Sequence, residues 1–166
     1  MFTPHLLAEA EALLDRCRVD GLKIVTAESC TGGLIAGLLT EIAGSSDVVE
    51  RGYVTYSNVA KSEALGVPAA LIDVHGAVSR QVALAMAQGA LTHSHADLSV
   101  AVTGVAGPGG GSTEKPIGLV HIATQRRGHK PQHKECSFGP ISRSAIRLAT
   151  VTKALELLEA VRTDVR

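Results

Sequence analysis

Aromatic residues are nearly missing from this sequence: its 166 residues include two Phe, two Tyr and no Trp. Proteins that hold single-stranded nucleic acid stack bases on aromatic platforms, so the composition argues against that class. Charges cancel as well, 16 Lys plus Arg against 16 Asp plus Glu, and no basic excess points to a polyanion. The basic run from Gln125 to Lys130 reads instead as a solvated hairpin turn. No uninterrupted apolar stretch approaches the ~18 residues of a membrane span, so no membrane partner is expected. The first residues, Met1 to His5, hold no basic segment leading into an apolar one, so no secretory signal is expected. Cys17, Cys30 and Cys136 are odd in number and lack paired spacing, which suits free thiols in a reducing cytoplasm. Cys-x-x-Cys is missing, and His93 and His95 alone make no zinc site. No metal or other cofactor is expected.

What is present is the composition of one soluble globular domain spanning 1–166, with 45% apolar and 19% charged residues. Apolar residues at 6, 7, 10, 13, 14 and 17 form a helical stripe. A β-branched run from Leu22 to Ala27 predicts a strand, and the stripe at 34, 35, 38, 39 and 42 predicts a second helix. Val48 to Tyr56 ends in a strand, and Asn58 is placed to cap a short helix carrying Lys61. Pro68 opens another short helix, and Ser79 caps one from Arg80 to about His93. Strands follow at Asp97 to Thr103, Gly118 to Gln125 and Gln132 to Phe138, and Ser142 caps the last helix. Helices between strands predict a three-layer α/β/α sandwich on a mixed sheet, its last two strands antiparallel. Ligands in such sheets bind where strands deliver their C-terminal ends into loops, here after Ala27, Tyr56 and Thr103.

The first of those loops, Glu28-Ser29-Cys30-Thr31-Gly32-Gly33, crowds two hydroxyls, a thiol and two glycines at a strand-to-helix turn. Two readings stand side by side: an ordinary helix cap, or a site using the helix N-terminus. The loop from Gly104 to Gly111 has five glycines in eight positions and lets backbone approach a ligand closely. It lacks the Gly-Lys-Ser/Thr ending of a P-loop, and Ser29 lies outside a Gly-x-Ser-x-Gly elbow. A hydroxyl nucleophile activated by lysine remains. Lys61, in a polar segment after an apolar strand, is the candidate base, although most lysines are simply exposed. Cys30 is a rival nucleophile beside Ser29. Thr103, Lys115, Arg143 and Arg147 are weaker candidates, each with an ordinary strand-end, loop or helix-surface role available.

Longer motifs sharpen this. Ala27-Glu-Ser-Cys-Thr-Gly-Gly33, Gly52-Tyr-Val-Thr-Tyr-Ser-Asn58 with Lys61, Gly76-Ala-Val-Ser79, Thr103-Gly-Val-Ala-Gly-Pro108, Lys115-Pro-Ile-Gly118 and Arg143-x-x-Ile-Arg147 run in order across nearly the whole chain. Together they resemble the CinA C-terminal domain family, the nicotinamide-nucleotide amidases. One departure stands out: Ile141-Ser142-Arg143 replaces the family's common Gly-Asp-Arg. The resemblance implies a stand-alone amidase that hydrolyses the carboxamide of nicotinamide mononucleotide in pyridine-nucleotide salvage. It implies Ser29 as nucleophile, Lys61 as base and Tyr56 orienting Lys61 or substrate. Backbone N–H groups from Thr31 through Gly32 to Gly33 would hold the oxyanion, Glu28 would join the substrate side, and Thr103, Gly104, Gly107 and Arg143 would bind the ribose phosphate. The alternative is a nucleotide-binding module without chemistry, linked to competence or DNA damage. The long apolar last helix is compatible with a homodimer.

Overall fold

In the computed structural model, residues 2–163 are described. Helix α1 (Pro4–Asp20) starts where the Thr3 hydroxyl accepts the Leu6 N–H and ends at Gly21. Strand β1 (Ile24–Glu28) leads through the glycine turn into α2 (Leu34–Glu41). A 3-10 turn at Ser45–Asp47 precedes β2 (Val49–Val54), followed by α3 (Asn58–Leu65) and α4 (Ala69–His75). Helix α5 (Arg80–Thr92), capped by Ser79, returns the chain to β3 (Leu98–Gly104). The hairpin β4 (Leu119–Arg126) and β5 (Gln132–Ser137) then precedes α6 (Arg143–Arg162), capped by Ser142.

The five strands lie in the order β2-β1-β3-β4-β5. β1 runs parallel to both β2 and β3, while β4 is antiparallel to β3 and β5, so the sheet is mixed as the sequence implies. Alternation along β1 sends Ile24 to one face and Val25 and Ala27 to the other. Helices α1, α2 and α6 cover the first face through Leu13, Leu38, Val151 and Leu158 among others. Helices α3, α4 and α5 cover the second through Leu65, Ile72, Met86 and Leu91. Burying these side chains contributes about 1.5–3 kcal/mol each, which is what holds the three layers together.

Register decides where the site forms. Glu28 pairs with Val54 on one side and Val102 on the other. Ser29, Thr55 and Thr103 therefore stand side by side, one step past that row, at the carboxyl ends of three parallel strands. The ladder runs one step further, with Ser29 N–H donating to Val102 O at 3.1 Å and Thr55 N–H to Glu28 O at 2.8 Å.

Two local expectations are corrected. The cap of α3 is Ser57, whose hydroxyl accepts the Ala60 N–H, and Asn58 is the first helical residue. The turn after β4 is present, yet Arg127 is not merely solvated: its guanidinium donates to the carbonyls of Leu91, Ser94 and Ala96 and ties the hairpin to the end of α5. Among the described residues no helix is long and apolar enough to cross a membrane.

Candidate active site

The turn from Glu28 to Gly33 is built on a buried carboxylate. Glu28, at 0% exposure, is the last residue of β1, and its side chain passes under the turn to the open end of α2. One oxygen accepts from Thr31 Oγ1 at 2.6 Å, Gly33 N at 3.1 Å and Ile35 N at 3.0 Å; the other accepts from Ala36 N at 2.8 Å. Three backbone N–H groups that the start of a helix leaves unmet, and one hydroxyl, are thus satisfied by one residue. The Glu28 side chain is the cap of α2, and neither the Ser29 nor the Thr31 side chain accepts a helix N–H. The Thr31 hydroxyl donates to Glu28 instead. Gly33, at φ +94°, holds the position where a side-chain cap would stand.

This arrangement occupies two of the three N–H groups expected to hold an oxyanion. The Gly32 N–H turns back to Ser29 O at 3.0 Å, and the Gly33 N–H is held by Glu28. Glu28, Thr31, Gly32 and Gly33 support the turn from below and lie outside the cleft lining.

Above the turn, the fold brings Ser29, Tyr56, Lys61, Thr103, Gly104, Gly107 and Arg143 together around a cleft of about 280 Å³. Cys30, Asn58, Ala77, Val78 and further residues of the 105–110 loop also line it, so the segment expected as a helix cap at Asn58 and the turn at 76–79 belong to its walls. The Thr103 hydroxyl donates to Ala77 O at 2.8 Å, pinning that turn to the end of β3. A Cβ at Gly104 would run into Val120 and the Leu119 carbonyl, so only glycine lets the strand end lie this close to β4.

Lys61 is 1% exposed, one turn into α3, with its Nζ 3.1 Å from Ser29 Oγ. The same nitrogen donates to Thr55 O at 2.9 Å and lies 3.5 Å from Tyr56 O. Among the described residues no carboxylate pairs with it, and burial pushes its pKa below the ordinary lysine range, opposed weakly by the Cys30 thiol. A neutral amine has two N–H groups and one lone pair. Carbonyls can only accept, so in that neutral form the two N–H groups would go to Thr55 and Tyr56, leaving the lone pair for the Ser29 hydroxyl. That is the geometry of a base beside a nucleophile.

Cys30 is also buried beside the cleft, but burial drives its thiol up to about 11, away from the reactive thiolate. Across the cleft, Arg143 donates through Nη1 to Gly107 O at 2.7 Å and through Nη2 to the Tyr56 hydroxyl at 2.9 Å. One guanidinium thus links the loops after β2 and β3 at the mouth of the cleft. Tyr56 keeps its ring 61% exposed there, and its backbone carbonyl, rather than its hydroxyl, faces Lys61. Lys115 is turned elsewhere, donating to His75 O at 2.6 Å. Among the described residues no group of three His, Cys, Asp or Glu side chains is arranged to hold a metal ion.

Comparison with known proteins agrees with this picture. The family model described as "CinA C-terminal domain" matches residues 7–161. A CinA-like protein of Akkermansia muciniphila is 47% identical over 166 residues, covering 96% of this chain and 40% of its own length. A CinA-like protein of Colwellia psychrerythraea is 56% identical over 127 residues, of which the match takes up 29% of the relative. The chain thus spans well under half the length of these relatives. A protein of equal extent is the nicotinamide-nucleotide amidohydrolase PncC of Escherichia coli K12, 43% identical with 95% of both chains covered. Among solved structures, the competence/damage inducible protein CihA of Agrobacterium tumefaciens superimposes with a TM-score of 0.96 at 55% identity, covering 98% of this chain and 99% of that one. With the fold, the motifs and the match over 7–161 in agreement, this chain belongs to the CinA C-terminal domain family.

Proposed function

We propose that this protein hydrolyses the carboxamide of nicotinamide mononucleotide to nicotinate mononucleotide and ammonia, with Ser29 as nucleophile and Lys61 as base. The observation that carries the reading is the 3.1 Å contact between the buried Lys61 amine and the Ser29 hydroxyl. The name of the Escherichia coli relative, 43% identical over 95% of both chains, supports the substrate class. Ser29 Oγ adds to the amide carbon while Lys61 Nζ takes its proton. As the tetrahedral intermediate collapses, the C–N bond breaks and Lys61 returns the proton to the departing ammonia. Water then adds to the Ser29 ester, Lys61 again accepting and returning one proton, and the acid is released. The cation of Arg143 at the mouth of the cleft suits a phosphate group, with Thr103 and the backbone from Gly104 to Gly107 along the ribose.

A module that only bound nucleotides would have no use for a buried amine aimed at a buried hydroxyl, since both pay desolvation for no contact with ligand charge. The test is product analysis of purified protein with nicotinamide mononucleotide. Ammonia and nicotinate mononucleotide in equal amounts are expected. Release of free nicotinamide, or no turnover, would overturn the reading.

A further inference from the structure

We propose that Arg147 is a positioning residue for Ser29, acting through the peptide between Thr31 and Gly32; the proposal rests on Ser29 being the nucleophile. A trans peptide is planar, with its C=O and N–H pointing opposite ways. At this peptide the Gly32 N–H donates to Ser29 O, closing a tight turn at 3.0 Å. The Thr31 carbonyl must then point away, toward α6. There Arg147 Nη2 meets it at 2.7 Å, joined by the Leu34 N–H at 3.3 Å. The plane is held at both ends, one of them the main chain of the nucleophile.

Such a clamp matters because the turn is otherwise easy to rotate. Gly32 and Gly33 both have positive φ, +59° and +94°, and glycine visits either sign of φ freely. Turning the 31–32 peptide over would take the Gly32 N–H off Ser29 and unfix the backbone that sets Oγ against Lys61. Arg147 lies outside the cleft lining, so it acts on the turn and not on substrate. Among the described residues its Nε is buried without a hydrogen-bond partner, so Nη2 carries its bond to the turn. Arg143, one helical turn earlier on the same face of α6, reaches the loops on the other side of the cleft. The start of α6 therefore holds all three loops that form the site.

The experiment compares Arg147→Met and Arg147→Lys with the wild type in three measurements. These are the rate at which a small uncharged fluorophosphonate labels Ser29, the kcat and KM for nicotinamide mononucleotide, and the thermal midpoint. Arg147→Met is expected to melt cooperatively, to keep KM, and to lose kcat and labelling rate together. The loss should be about ten- to a hundredfold, the scale of a small misplacement of reacting groups. Arg147→Lys, with one donor left, should regain part of both rates. A raised KM with kcat and labelling unchanged would make Arg147 a substrate contact and overturn the proposal. A lowered midpoint with both rates unchanged would make it a strut and overturn it equally. Wild-type protein labelled at Ser29 but inactive on the nucleotide would refute the proposed reaction, while the labelling comparison would still decide the role of Arg147.

Discussion

Lys61 Nζ stands 3.1 Å from Ser29 Oγ although 32 positions separate the two residues in the chain. The sheet brings them together: Ser29 directly follows β1, and α3 starts three residues after Thr55, which directly follows the neighbouring β2. Burial without a carboxylate keeps the amine pKa low. The fraction of neutral Lys61 rises with pH, so kcat/KM should fall on the acid side of its pKa and level off above it. A profile of kcat/KM against pH checks this, and a limb that persists unchanged in Lys61→Arg would assign it to another group.

The same shift sets a stability prediction. The unfolded chain carries Lys61 at about 10.4, and the folded chain carries it lower. Between those values the unfolded state binds more protons, so the contribution of Lys61 to stability rises with pH across that window and is poorest below it. Lys61→Met removes the term. Its thermal midpoint, relative to wild type, should be most favourable near neutrality and become less so as pH approaches 10.

Glu28→Ala should destabilise the fold by about 2–4 kcal/mol, because four buried or half-buried donors lose one acceptor and the cap of α2 is gone. Glu28→Gln should cost less, since it keeps the shape and one oxygen. Thermal or urea unfolding measures both. Equal stability of Glu28→Ala and wild type would contradict the capping role.

Cys30→Ser should retain most turnover, and the native thiol should react slowly with iodoacetamide at pH 8, because its pKa is pushed up to about 11. Rapid alkylation that abolishes activity, with Cys30→Ser inactive, would make the thiol the nucleophile.

Arg143→Ala opens the link between Gly107 and Tyr56 and removes the cation at the mouth of the cleft. KM for nicotinamide mononucleotide should rise about tenfold or more, the loss of a charge-assisted contact. KM for the phosphate-free nucleoside should change little. Equal effects on both would show that Arg143 does not meet the phosphate.

Layer order, helix caps at Ser79 and Ser142 and the antiparallel hairpin were legible in the sequence because each rests on local chemistry: periodicity, a hydroxyl at a helix start, a turn between β-branched runs. Convergence of three loops was legible only as a rule for such sheets; the pairing of Glu28 with both Val54 and Val102 is what realises it. The cap of α2 was not legible. It comes from five residues before the Gly33 N–H, and sequence reading assigns a cap to the residue next to the helix. Asn58 for Ser57 is a smaller miss of the same kind, two adjacent residues with equal capping chemistry. The carbonyls of Thr55 and Tyr56 that hold Lys61 carry no side-chain signal at all. Arg147 was visible as a motif residue, but its bond to Thr31 O depends on how α6 packs across the sheet.

The most direct test is turnover of nicotinamide mononucleotide by the wild type, Ser29→Ala, Lys61→Met and Cys30→Ser, all shown to be folded. The account predicts ammonia release by the wild type and by Cys30→Ser. It predicts losses of about a thousandfold or more in Ser29→Ala and Lys61→Met, as when members of a catalytic unit are removed. Near-normal turnover by Ser29→Ala would contradict it.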